Sequence, residues 1–98
     1  MPEHTDTVRL HIRVKGRVQG VGFRAHVEYV ARQLGATGWV RNVGYDVVEA
    51  VAEGERPKLE RFAETTKTGP RGSQVDESTL DWLEATGEFQ AFTVRRSV

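Results

Sequence analysis

The nine residues Gly16-Arg17-Val18-Gln19-Gly20-Val21-Gly22-Phe23-Arg24 place three glycines ahead of one arginine. Glycine reaches backbone conformations closed to other residues and lets a ligand approach the main chain. Successive N–H groups can then converge on one oxyanion, helped by the positive end of a following helix. Arg24 has a planar fork of donors suited to a tetrahedral phosphate or a carboxylate. In the first turn of a helix such a cation opposes the macrodipole, at a cost of ~0.3–1 kcal/mol that a bound anion would offset. The alternative is a tight strand-to-helix connection in which Arg24 is merely solvated.

The flanking elements suit the first reading. Val8, Leu10, Ile12 and Val14 alternate with Arg9, His11, Arg13 and Lys15, the period of a half-buried strand with a cationic outer face. After the loop, Phe23, Val27, Val30, Ala31 and Leu34 recur at helical spacing, with Gly35 where a C-cap belongs. Residues Thr37 to Arg41 and Val47 to Ala52 read as two strands, and Asn42 to Asp46 has the composition of a hairpin turn. Pro57 opens a second helix with Leu59, Phe62, Ala63 and Thr66 on one face, stopped by Gly69-Pro70. Ser73 to Glu84 reads as an edge strand, and Phe92 to Arg96 alternates as the last strand.

This βαββαβ order predicts an α+β, ferredoxin-like sandwich: a four-stranded antiparallel sheet with two helices on one face, plus a short C-terminal edge segment as an option. Residues 1–6 are expected to be a disordered tail and 7–98 a single domain, since 98 residues with 38% hydrophobic content suit one small core. The chain has no cysteine, which rules out disulfides, thiolate metal sites and Cys nucleophiles. The polar N-terminal stretch has no apolar h-region, and no window approaches membrane-spanning length. A cytoplasmic, monomeric protein is the expectation.

Net charge is zero, but residues 1–41 carry seven Lys/Arg against three Asp/Glu and residues 42–98 seven against eleven. The positive N-terminal part holds the glycine loop and agrees with an anionic ligand. The lack of an overall basic excess, and of an aromatic RNA-binding strand pattern, argues against nucleic acid. Trp39 and Trp82 read as core or rim packing. His4 falls in the tail, His11 on the outer face of the first strand and His26 on the helix surface, with no ligand spacing or acidic partner, so no metal site is expected.

Gly20-Val21-Gly22-Phe23-Arg24-Ala25 also satisfies a dinucleotide fingerprint. The parallel strand, downstream acid and large sheet that this requires are all lacking. A Walker loop fails because no Lys-Ser or Lys-Thr follows the last glycine.

Gly16-x-Val18-Gln19-Gly20-Val21-x-Phe23-Arg24, then Gly38-Trp39-Val40-Arg41-Asn42 and Val48-Glu49, resembles the acylphosphatase family. Gly69-Pro70 and Phe92-x-Val94-Arg95 extend the likeness along nearly the whole chain. The resemblance implies hydrolysis of a small-molecule acyl phosphate to a carboxylate and inorganic phosphate, without metal or cofactor, with phosphate or sulfate as alternative occupants. By matching position, Arg24 corresponds to the phosphate-binding arginine and Asn42 to a water-orienting asparagine. Arg17, Val18, Gln19, Gly20, Val21, Gly22 and Phe23 correspond to the loop whose amides surround the phosphate. The chemistry is consistent: the departing carboxylate has a conjugate acid of pKa about 4–5 and needs no general acid. Positioning and charge stabilisation then carry phosphoryl transfer. The chain departs from the family at Gly44-Tyr45-Asp46, where Asp-Gly is common, which implies a different turn and an altered rim beside Asn42. The alternative from another class is a non-catalytic phosphate- or carboxylate-binding module on the same scaffold.

Overall fold

The structure is a computed structural model that describes residues 6–98; the expected N-terminal tail therefore lies outside the described residues except for Asp6. In chain order the elements are β1 (Thr7–Arg17), α1 (Phe23–Gln33), β2 (Thr37–Val43), β3 (Val47–Glu55), α2 (Arg56–Thr68), β4 (Gln74–Glu84) and β5 (Phe92–Val94). The strands form one sheet in the order β4-β1-β3-β2-β5. Neither helix is long and apolar enough to cross a membrane.

The alternation in β1 sends Leu10, Ile12 and Val14 to one face, where β3 adds Val48, Ala50 and Ala52 and β2 adds Val40. Phe23, Val27 and Ala31 of α1 and Leu59, Phe62 and Ala63 of α2 close over that face as one core. Each such Leu, Ile or Phe contributes about 1.5–3 kcal/mol on burial. The α+β, ferredoxin-like arrangement with both helices on one face is thus the observed one.

The sheet differs from a four-stranded antiparallel one in its last member. Ser73 to Glu84 does form the edge strand, pairing with β1 from Val8↔Glu84 to Arg17↔Gln74, interrupted by a register shift at Lys15/Gly16. The chain then crosses to the opposite edge, and β5 pairs in parallel with β2 through Gly38↔Phe92 and Val40↔Val94. Direction follows from geometry: a strand returning from β4 runs opposite to it, and β2 already runs opposite to β4. Phe92 draws the segment in. Its ring is buried with its centroid 6.0 Å from that of Phe62, in an edge-to-face contact. Main-chain bonds continue past β5, from Arg95 N to Val40 O (2.8 Å) and from Val98 N to Asn42 O (3.0 Å).

The outer face of the sheet is less simply cationic than the alternation of β1 suggests. Glu49 and Glu53 of β3 are buried there. Glu49 accepts from His11 at 2.6 Å, Arg41 at 2.9 Å and Arg13 at 3.1 Å. Glu53 accepts from Arg9 at 2.7 Å and from the backbone N–H groups of Thr86 and Gly87. His11 accordingly does have an acidic partner, which lies on the neighbouring strand and far off in sequence. Trp39 is also on this face, between the guanidinium groups of Arg41 and Arg95, each 4.8 Å from its ring.

Candidate active site

The loop between β1 and α1 is anchored at its ends by Val18 and Phe23, both buried, and exposes Gly20 and Gly22 between them. Both glycines have φ of 76°, left-handed conformations that cost other residues about 1–2 kcal/mol. Gly22 is the N-cap of α1, without a side-chain capping bond and without an acidic residue in the first turn. The first N–H groups of the helix are therefore left for an external acceptor.

A pocket of about 300 Å³ opens here, lined by Val18, Gln19, Gly20 and Gly22 of the loop, by Phe23 and Arg24 of α1, and from the far side by Asn42 of β2. Arg24 and Asn42 lie eighteen positions apart in the chain and line one pocket because β1 and β2 flank β3 in parallel, and α1, which follows β1, packs over β2. Two expected loop residues are not in the lining. Arg17 ends β1 as an exposed residue opposite Gln74, and Val21 packs half-buried against the core. A wider hollow of about 680 Å³ lies at the other end of β1, where Arg56 stacks on Trp82 at 4.2 Å. It contains no glycine loop, and the helix start that borders it, Arg56 of α2, holds its guanidinium over the Trp82 ring.

Gln19 does something that sequence reading missed. Its Nε2 donates toward the carbonyls of Val47 at 2.9 Å, Gly44 at 3.2 Å and Val43 at 3.3 Å. The side chain thus ties the loop to the hairpin that immediately follows Asn42, with Gly16 N to Asp46 O at 2.9 Å as a second strap. No local pattern announces such a contact.

Asn42 sits on the helix-covered face at the end of β2 and is 9% exposed. Its Oδ1 is buried and has no hydrogen-bond partner in the protein. A buried acceptor left unpaired costs about 1–3 kcal/mol, so on a residue that lines a pocket it calls for a donor. Tyr45, at the unusual turn tip, is 87% exposed and stays out of the lining, so the turn does not close the pocket. His26 is half-buried with an enclosed Nε2 rather than lying on the helix surface, and it does not line the pocket. Among the described residues no group of three or more His, Asp or Glu is arranged to hold a metal. Ala25, Glu28 and Val94 complete the wall. Glu28 could have been noticed, because it follows Arg24 at i,i+4 on a helix; Val94 could not, because it arrives on β5.

A small α+β sandwich in which a glycine-rich loop, a helix start with Arg24 and a buried amide line one pocket is the arrangement that the sequence motifs led one to expect of a phosphate-handling protein. The acylphosphatase family model matches residues 10–94. The chain is 44% identical to an acylphosphatase of Pyrobaculum islandicum over 94 residues, covering 95% of this chain and 99% of that protein. It is 49% identical to an acylphosphatase of Marinobacter nauticus over 84 residues, covering 86% and 91% respectively. Among solved structures, acylphosphatase from Bacillus subtilis superposes with a TM-score of 0.86 at 34% identity, over 90% of this chain and 98% of that one. Full-length HypF, crystallised in a phosphate- and nucleotide-bound form, gives 0.86 at 27% identity, over 99% of this chain but 13% of that one. The chain belongs to the acylphosphatase family, and it is a hydrolase of that type, acting on acyl phosphates. A purely binding role is not favoured.

Proposed function

We propose that the phosphoryl group of the substrate sits on the amides of the loop and on Arg24, and that Asn42 orients the attacking water. The observation that carries this reading is the buried, partnerless Oδ1 of Asn42 in the wall of the pocket that Arg24 lines. An amide oxygen there accepts a hydrogen bond from water and fixes its lone pair toward phosphorus. Water attacks, the P–O bond to the acyl group breaks, and the electron pair leaves on the carboxylate. The water's proton passes to a phosphate oxygen, giving dihydrogen phosphate and the carboxylate ion from a dianionic substrate. The leaving group departs without protonation, since its conjugate acid has a pKa of about 4–5. The chain's contribution is placement, and stabilisation of charge on the equatorial oxygens by donors already in position.

The test is hydrolysis of benzoyl phosphate, with inorganic phosphate as competitive inhibitor. Arg24→Ala is expected to raise both KM and the phosphate inhibition constant and to lower kcat about 10²–10³-fold, the loss typical of one preorganised donor. Asn42→Ala is expected to lower kcat by a similar factor with the phosphate inhibition constant nearly unchanged. Activity should persist with a chelator present. Native protein no faster than buffer, or Asn42→Ala at full kcat, would refute this account.

A further inference from the structure

Arg24 and Glu28 stand four residues apart on α1, and both line the pocket. At that spacing an arginine and a carboxylate are neighbours on the helix surface and ordinarily attract. Pairing would set a resident anion on the cation that the phosphate needs. The structure holds a different pair. Glu28 Oε2 takes Arg32 Nη2, one turn further on, at 3.0 Å, and among the described residues no carboxylate pairs with Arg24. Two features favour Arg32. A glutamate preceding its cation is the better i,i+4 order, and Arg32 lies in the last turn, where positive charge suits the macrodipole. The same Nη2 donates to Phe92 O at 3.2 Å, so the partner of Glu28 is itself tethered to β5.

We propose that Arg32 is a positioning residue for acyl phosphate hydrolysis: it holds the Glu28 carboxylate off Arg24 and so keeps that guanidinium open to phosphate. This rests on Arg24 being the phosphate ligand. Without Arg32, Glu28 turns back toward Arg24 and competes with the substrate. Binding weakens, while the reaction of the bound substrate is spared.

The experiment is a double-mutant cycle on the intact chain, reading KM and kcat for benzoyl phosphate and the inhibition constant of inorganic phosphate. Arg32→Met should raise KM and the inhibition constant together, about two- to fivefold, the weight of a partly exposed ion pair, with kcat within a factor of about two. Adding Glu28→Gln should restore both constants. Glu28→Gln should tighten phosphate much more in the Arg32→Met background than in the native one, because the carboxylate competes only when released. Two independent charges acting through space would give equal factors in both backgrounds, and that result would overturn the proposal. Arg32→Gln, still able to donate to Phe92, should reproduce Arg32→Met even if the methionine variant folds poorly. Arg24→Met separates the two readings. If it leaves the phosphate inhibition constant unchanged, both fall; if it raises the constant while neither Arg32 variant does, only the role of Arg32 falls.

Discussion

Arg24 and Gln19 show how differently two residues of one loop can serve it. Arg24 turns into the pocket and the Gln19 side chain reaches past it to the hairpin. A glutamine can donate to the carbonyls there, whereas a glutamate would set a carboxylate against three carbonyl oxygens. Gln19→Glu should therefore destabilise the fold by about 1 kcal/mol, the low end for unpaired polar groups because these are only partly buried, seen as a lower urea midpoint. It should also lower kcat/KM for benzoyl phosphate by at least tenfold, since loop and Asn42 lose their common reference. Gln19→Met, without the charge, should lose less of both. The type and place of Gln19 are plain in the sequence, but the direction of its side chain is not. A contact 24 to 28 residues away has no local signature.

At the scale of elements, the start of α1 is the part on which the site depends. Phe23 plugs the helix into the core one residue before Arg24, and Gly69, after α2, lies against its ring. A Cβ at Gly69 would come within 2.7 Å of Phe23 Cε2, and φ there is 74°. Gly69→Ala should thus cost about 1–3 kcal/mol from overpacking and backbone strain. It should also raise KM for benzoyl phosphate by displacing the first turn, whereas Gly72→Ala, also at positive φ but with open space around it, should affect stability alone. The strands and helices themselves were readable because period two and period 3.6 separate cleanly in β1, α1 and α2. β5 was readable as alternation from Phe92 onward, but its parallel pairing was not. A three-residue strand takes its partner and direction from where the preceding chain delivers it.

Across the whole molecule, the two faces of the sheet use opposite means of burial. The helix face is apolar but for Asn42 at the pocket and Thr66 of α2; the outer face buries Glu49 and Glu53 under bonds from strands and from the chain between β4 and β5. Burial pushes the Glu49 carboxyl up, but the bonds from His11, Arg41 and Arg13 more than reverse this and hold it below the ordinary range. Glu53 is lowered likewise, with burial again overcome by Thr86, Gly87 and Arg9. A carboxyl whose folded pKa is depressed stabilises the fold fully above its unfolded value, ordinarily 4.5 for glutamate. That stability is lost as pH falls through the lower folded value. Urea midpoints should hence be level near neutrality and fall steeply below about pH 4.5. Glu49→Gln should flatten part of that acid dependence and, near neutrality, cost about 1–3 kcal/mol, a figure kept modest by the solvent exposure of Arg13.

The sequence by itself determined the elements, the apolar face of each and the glycine-rich loop that leads into Arg24, because these rest on backbone preference and on periods shared by near neighbours. It also carried the family, through two motifs in fixed order. Tertiary structure alone decided that Asn42 lines the pocket with its side-chain oxygen buried and unpaired, that Gln19 ties loop to hairpin, and that Glu28 pairs with Arg32. Those outcomes depend on which side chain reaches which partner first, a competition among groups brought together only when the sheet and helices pack.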